Sequence, residues 1–359
     1  MSRFFSRRLS GLRPYVPGEQ PRGRDYVKLN TNESPFPPSP RVLEALGGGE
    51  AARLNLYPDP EARAATSALA ERHGLSPANV MMSNGSDEAL AFCFQAFCDD
   101  SAPAVFPDVT YALYDILASL YGVPIRVVPL LPDFTVDLDG LSGACGGGRA
   151  AIFLANPNAP TGLAVGLESI ERLLASNPDA VLVVDEAYAA FGAESAAPLI
   201  RRHGNLAVVH TMSKSRNLAG ARIGYVIADE GLIADLNSVR YSFNPYSVGR
   251  LALAAAEAAI RDDEYHRECV AAIVKTRELT ARELERRGFD VLPSLTNFVL
   301  ARPGFIGGGQ YQAALKDRGV LVRHFAEPER IREFVRITIG AEWQMRALLD
   351  ATDEIMREL

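Results

Sequence analysis

The chain has 359 residues, 48% of them hydrophobic and 23% charged, with a formal net charge of −7. This is ordinary globular composition, long enough for one large domain and a smaller companion. The mild acidity gives no basis for nucleic-acid binding, and no apolar run approaches the roughly 20 residues of a membrane span.

Residues 1–30 read as an N-terminal arm. Its start, MSRFFSRRL, is basic but is followed by no long apolar stretch, which is unlike a secretory signal and points to the cytoplasm. Residues 25–40, DYVKLNTNESPFPPSP, are predicted to be extended and turn-rich, because Pro35, Pro37, Pro38 and Pro40 oppose both helix and central strand. A helix is expected from about Arg41 and another over 61–73, with LNLYPDP (54–60) as an ordered loop between them. From residue 79, short apolar runs alternate with helical stretches. The runs are 79–83, 104–106, 125–128, 151–155, 180–184, 207–211 and 223–227; helices are expected over 86–98, 111–121 and 166–175. Such alternation predicts an α/β large domain over 31–245, a mostly parallel sheet flanked by helices. The pattern then changes. Residues 246–359 read as a smaller α+β domain, with one long helix over 247–287, four strand-like runs (FDVLPS, NFVLARP, GVLVRHF, VRITIG) and a closing helix from Ala341. The glycine runs 47–49, 146–148 and 307–309 read as flexible loops, and none leads into the lysine and hydroxyl of a Walker-type phosphate loop.

Cys93 and Cys98 lie five apart in a helical stretch, a spacing that suits neither a redox pair nor zinc. With Cys145 and Cys269 they read as reduced thiols of a cytoplasmic protein. The five histidines show no ligand spacing, so no metal is expected.

Lysine supplies only four of the 37 basic residues: Lys28, Lys214, Lys275 and Lys316. Lysine can shed its proton and attack a carbonyl, and arginine cannot. Lys214 stands out because Thr211, Ser213, Ser215 and Arg216 crowd its turn, directly after an apolar run. Ligands of open α/β sheets bind beyond the carboxyl ends of the strands, so the other strand ends matter too. Gly85 and Ser86 follow the first run, where Ser86 can cap a helix whose N–H groups face an anion. Asn156-Pro157-Asn158-Ala159-Pro160-Thr161-Gly162 forms a rigid turn after 151–155. Asp185 and Tyr188 follow 180–184, and a buried aspartate there needs a positive partner. An amine, an acid, a phenol and an anion-binding helix start at neighbouring strand ends are what a pyridoxal phosphate site requires.

With these residues in view, the chain resembles the fold type I, pyridoxal-phosphate-dependent aminotransferases, and among them the histidinol-phosphate aminotransferase branch. The motifs KLNTNESPFPPSP, YPDP, NGSDEAL, NPNAPTG, DEAY, TMSKSRNLAGARIGY and VRITIG carry the resemblance in order over nearly the whole length. It implies that Lys214 holds the cofactor covalently and then moves the substrate proton. It implies that Asp185 keeps the ring nitrogen protonated, Tyr188 bonds the ring hydroxylate and Tyr111 stacks on the ring. Gly85, Ser86, Thr211, Ser213 and Arg222 would hold the phosphate, with Tyr57 reaching it from the other subunit of a homodimer. Arg336, with Arg323 and Tyr15, would take the anionic groups of the substrates. Many members of the family it resembles carry an asparagine donor to the ring hydroxylate where this chain has Ala159; Asn158 or Asn156 is the expected substitute, with Asn158 assigned to the cofactor. The implied reaction is transamination between glutamate and imidazole-acetol phosphate, giving histidinol phosphate. An aromatic amino-acid aminotransferase and a threonine-phosphate decarboxylase stand as alternatives.

Overall fold

In a computed structural model, which describes residues 2–20, 23 and 25–359, two sheets organise the chain. The first elements are β1 (Val27–Leu29), α1 (Pro40–Gly47) and α2 (Arg63–His73). The alternating region follows as β2 (Val80–Ser83), α3 (Ser86–Phe97), β3 (Ala104–Pro107), α4 (Leu113–Tyr121) and β4 (Ile125–Val128). It continues with α5 (Leu138–Cys145), β5 (Ala150–Ala155), α6 (Leu167–Ser176), β6 (Ala180–Asp185), β7 (Leu206–Thr211) and β8 (Gly224–Ala228). Three helices come next: α7 (Glu230–Phe243), α8 (Arg250–Arg261) and α9 (Asp263–Arg286). The chain closes with β9 (Phe289–Val291), β10 (Phe298–Pro303), α10 (Gly308–Asp317), β11 (Val320–His324), β12 (Val335–Thr338) and α11 (Glu342–Glu358).

The larger sheet has the order β2-β8-β7-β6-β5-β3-β4, parallel throughout except for β8, which runs against both neighbours. Every residue of β5 is buried, as a parallel strand covered on both faces must be. One face packs on α3 and α4, where Phe94 stacks on Phe153 at 4.0 Å; the other packs on α5 and α6 around Leu154, Leu173 and Leu182. The register pairs Ala155 with Asp185 and Asp185 with Val209, so β5, β6 and β7 end side by side. The smaller sheet has the order β1-β11-β12-β10-β9. Its edge strand β1 comes from the N-terminal arm and pairs parallel to β11, which carries Asn30 to Glu33 to the seam between the sheets.

The helix expected over 247–287 is two helices, separated at Asp262 (φ −99°, ψ 69°). Aspartate is a poor interior helix residue, and Arg216 Nη1 takes the carbonyls of Ala259 (2.6 Å) and Asp262 (3.4 Å) that the break releases. Residues 250–261, expected with the C-terminal body, pack instead on α1 and α2 through Ala255, Ala256 and Ala259. Of these two helices, α9 is the one that reaches the smaller sheet, through Ile273 and Leu284. Gly308 and Gly309, expected in a flexible loop, open α10. A Cβ on Gly308 would lie 2.7 Å from the Glu333 carbonyl carbon, so close packing explains that glycine.

None of the four cysteines is in a disulfide. Among the described residues no helix is long and apolar enough to cross a membrane, and no group of His, Cys, Asp and Glu could hold a metal ion.

Candidate active site

A cavity of about 370 Å³ lies at the carboxyl ends of β5, β6 and β7, closed on the other side by residues of the smaller sheet. Lys214 reaches it from the turn after β7. That turn is pinned by Met212 N–H to Ile223 O (2.9 Å) and Leu218 N–H to Met212 O (3.0 Å). The Lys214 amine donates to Thr31 O at 3.2 Å and bonds no carboxylate; nearby Glu33 is paired with Lys28. Desolvation by the surrounding protein, aided by the Arg336 charge, lowers its pKa to about 8. A fair share of the amine is therefore neutral, and nucleophilic, at physiological pH.

Asp185 ends β6 with its carboxylate facing the same cavity. It accepts from Ala187 N–H (3.1 Å) and Tyr114 O–H (3.4 Å), and among the described residues no cation touches it. Burial lifts its pKa to about 6. An incoming positive charge would relieve the cost of its ionised form.

An anion cradle lies at the start of α3. Ser86, expected to cap this helix, is instead its first residue, and the N-cap is Gly85 at φ +81°. Glycine offers no side chain, so the first N–H groups of α3 have no cap. Strand β8 passes directly beneath: a Cβ on Gly224 would lie 2.5 Å from Ser86 N, so only glycine fits. Arg222 closes one side, its Nη2 3.2 Å from Asp87 Oδ2, and Thr211 and Ser213 close the other, hydroxyl to hydroxyl at 2.9 Å.

Tyr111 lines the cavity and donates to Asp87 Oδ1 at 2.9 Å, so Asp87 joins Tyr111 to Arg222. Tyr188 lines the opposite side, and its phenol oxygen accepts from Asn32 Nδ2 at 2.8 Å. Burial raises the pKa of both phenols.

Arg336 sits on β12 opposite Arg323 of β11. Its guanidinium lies between the rings of Phe298 (5.3 Å) and Phe325 (5.5 Å). It donates to Asn30 O at 3.3 Å, while its buried Nε has no partner. No carboxylate pairs with Arg336 or with Arg323, which instead ties down the arm through Val16 O (3.3 Å). Tyr15 of that arm lines the cavity beside them. A second cavity of about 580 Å³ adjoins, sharing Tyr15, Tyr111, Ala159, Arg323 and Arg336.

Two expected residues are elsewhere. Asn158 is buried and does not line the cavity: its amide donates to Val109 O (2.9 Å) and Thr161 Oγ1 (3.0 Å), and its oxygen accepts from Thr110 (2.8 Å). Its hydrogen bonds are spent on holding the turn. Asn156 is likewise committed, exchanging two bonds with Val165. Tyr57 is 77% exposed, stacks on Tyr246 at 4.5 Å and does not line this cavity. Asn32, Asp87 and Tyr114 were missed by sequence reasoning. Asn32 and Asp87 lie inside the motifs NTNES and NGSDEAL, which pointed to their neighbours.

A family model described as aminotransferase class I and II matches residues 24–352. Histidinol-phosphate aminotransferase 2 of Dechloromonas aromatica (strain RCB) is 47% identical over 358 residues, 99% of each chain. Histidinol-phosphate aminotransferase 1 of Bradyrhizobium diazoefficiens is 48% identical over 359 residues, the full length of both. Among solved structures, histidinol-phosphate aminotransferase from Sinorhizobium meliloti in complex with pyridoxal-5'-phosphate superposes with a TM-score of 0.85 at 30% identity, covering 93% of this chain and 92% of that one. With this agreement over its full length, the chain belongs to the class I and II aminotransferase family.

Proposed function

We propose that the protein is a pyridoxal-phosphate-dependent aminotransferase of histidine biosynthesis, exchanging an amino group between glutamate and imidazole-acetol phosphate to give histidinol phosphate. One observation carries the reading: an amine poised near neutrality, a buried carboxylate without a cation and an uncapped helix start face one cavity. These are three complements of a single molecule, an aldehyde, a basic ring nitrogen and a phosphate. When bound, the cofactor supplies that carbonyl and an electron-withdrawing ring. The chain supplies the rest. Lys214, as the neutral amine, would condense with that carbonyl with loss of water, and would afterwards carry the proton removed from the substrate carbon. Asp185 would hold a proton on the ring nitrogen. Arg222, Ser213, Thr211 and the α3 N–H groups would hold the phosphate independently of Lys214. Arg336 takes a substrate carboxylate or phosphate.

The unpaired Arg323 and Arg336 favour a phosphorylated acceptor over an aromatic amino acid, since two guanidiniums suit a dianion better than a ring. The test is a spectral titration of the cofactor band with histidinol phosphate against phenylalanine, tyrosine and threonine phosphate. Histidinol phosphate is expected to act at a concentration lower by roughly 10²-fold or more, the worth of one or two charge-assisted hydrogen bonds. An equal response to phenylalanine, or carbon dioxide released from threonine phosphate, would overturn the substrate assignment.

The proposal includes a cytoplasmic homodimer with shared sites. The free thiols support the compartment. Support for the dimer comes from the exposed aromatic surface of Tyr57, Phe243 and Tyr246, which a second copy would cover. Sedimentation of an active monomer would remove Tyr57 from the site.

A further inference from the structure

The loop after β5 offers no side-chain donor to the cavity, because Ala159 lines it with a methyl group and Asn156 and Asn158 are committed elsewhere. We infer that Asn32 is a positioning residue: it donates to the Tyr188 oxygen and so makes Tyr188 a stronger donor to the cofactor ring. This rests on the cofactor reading above.

The geometry around Asn32 has little freedom. It follows β1, is 1% exposed and holds φ +54°. Its N–H donates to Thr338 Oγ1 (2.9 Å), and its carbonyl accepts from Asn297 Nδ2 (3.1 Å). The Thr338 hydroxyl donates in turn to Asn32 Oδ1 (3.1 Å). With Oδ1 occupied as an acceptor, the amide can present only Nδ2 to Tyr188, and it does so at 2.8 Å. The Tyr188 oxygen is thereby an acceptor toward Asn32, and its own proton stays available to the cavity. A hydroxyl that accepts one hydrogen bond donates the next more strongly. The ring of Tyr188 is fixed independently, edge-on to Phe298 at 5.2 Å, so Asn32 is not needed to hold it in place.

The effect can be read without turnover. A donor to the ring oxygen would stabilise its anion, so the visible band of the bound cofactor would titrate at lower pH. Weakening Tyr188 as a donor should raise the pH midpoint of the cofactor's visible band. Lys214, Arg336, Arg222, Glu33, Asp185 and Asp87 also act on this region, and the variants leave all six in place.

Two substitutions separate shape from donation. Asn32→Asp keeps the shape, tolerates the left-handed backbone and replaces the donor with an acceptor. Asn32→Gly suits φ +54° and removes the side chain. Both are expected to raise the midpoint by roughly half to one pH unit, the shift one ordinary hydrogen bond is worth. Thr338→Val, which frees the amide to turn, should give part of that shift, and Thr338→Ser should restore the normal midpoint. In a Tyr188→Phe background, the uncharged Asn32→Gly should add nothing. If Tyr188→Phe moves the midpoint and Asn32→Asp does not, the role of Asn32 is overturned while the cofactor reading stands. If Tyr188→Phe moves nothing, the contact of Tyr188 with the ring falls, and Asn32 with it. If purified protein mixed with pyridoxal phosphate gives no visible band, both readings fall together.

Discussion

Lys214→Ala is expected to lower kcat by at least about 10⁴-fold, because the same amine serves as covalent anchor and as proton carrier. Cofactor affinity should fall much less. The cradle of Arg222, Ser213, Thr211 and the α3 N-terminus is built without Lys214, so equilibrium dialysis should still find stoichiometric binding at micromolar to millimolar cofactor. Lys214→Arg should be as inactive as the alanine variant. It retains the charge, but a guanidinium does not lose its proton near neutrality. Turnover by Lys214→Arg within tenfold of the parent would contradict the assigned role. The turn itself should survive either change, since its backbone bonds run between Met212, Leu218 and Ile223.

Asp185→Asn should produce opposite effects on function and on the stability of the cofactor-free chain. For function, the amide cannot balance a positive ring nitrogen, and kcat is expected to drop by roughly 10²–10³-fold, the scale of removing one preorganised electrostatic partner. For stability, burial holds the carboxyl at about 6, above the usual carboxylate range near 4. The folded chain therefore binds the proton more tightly than the unfolded one. Its stabilising effect is fully present below about pH 4 and is lost as the pH rises through about 6. At pH 7.5 the ionised carboxylate destabilises the cofactor-free fold by on the order of 2–3 kcal/mol. Acid relieves the same cost by protonating the carboxyl, but burial holds His73, His210 and His266 at about 4, 3 and 4, and their protonation in the unfolded chain destabilises the fold in acid over the same range, so the Asp185 effect is read as a difference between two proteins. The substitution Asp185→Asn should raise Tm relative to the cofactor-free parent at pH 7.5, and that gap should close as the pH falls from about 6.5 to 4. Glu186, which faces away from the site and is pushed up to about 7, supplies a remaining slope at higher pH. An unchanged slope below pH 6 in Asp185→Asn would mean that Asp185 is not strained by burial.

The parts of the site that lie at strand ends were legible because alternating strands and helices place those ends in a row. Lys214, Asp185, Tyr188 and Ser86 needed only that topology, whereas Arg222 entered through the family resemblance. The parts that failed depend on which partner a polar group finds across the chain. Nothing in NPNAPTG says that Asn158 turns inward to Val109 rather than outward to a ligand. Nor does NTNES announce that Thr338, more than 300 residues away, orients Asn32. The break at Asp262 was hidden for the same reason. A helical pattern runs across it, and the arginine that takes the released carbonyls comes from the Lys214 turn. Gly224 and Gly308 are required by backbones that approach from elsewhere, which no local pattern reveals.

The shortage of lysine has a practical chemical consequence. Lys28 and Lys316 are held in ion pairs with Glu33 and Glu19, Lys275 lies on the surface, and Lys214 has its pKa lowered toward neutrality. An aldehyde meeting this protein finds few lysines to compete with Lys214, two of them tied to carboxylates. Stray labelling, a common nuisance with carbonyl reagents on lysine-rich proteins, is suppressed by composition. After borohydride reduction, the mass of the intact chain should then report occupancy of position 214 with little background.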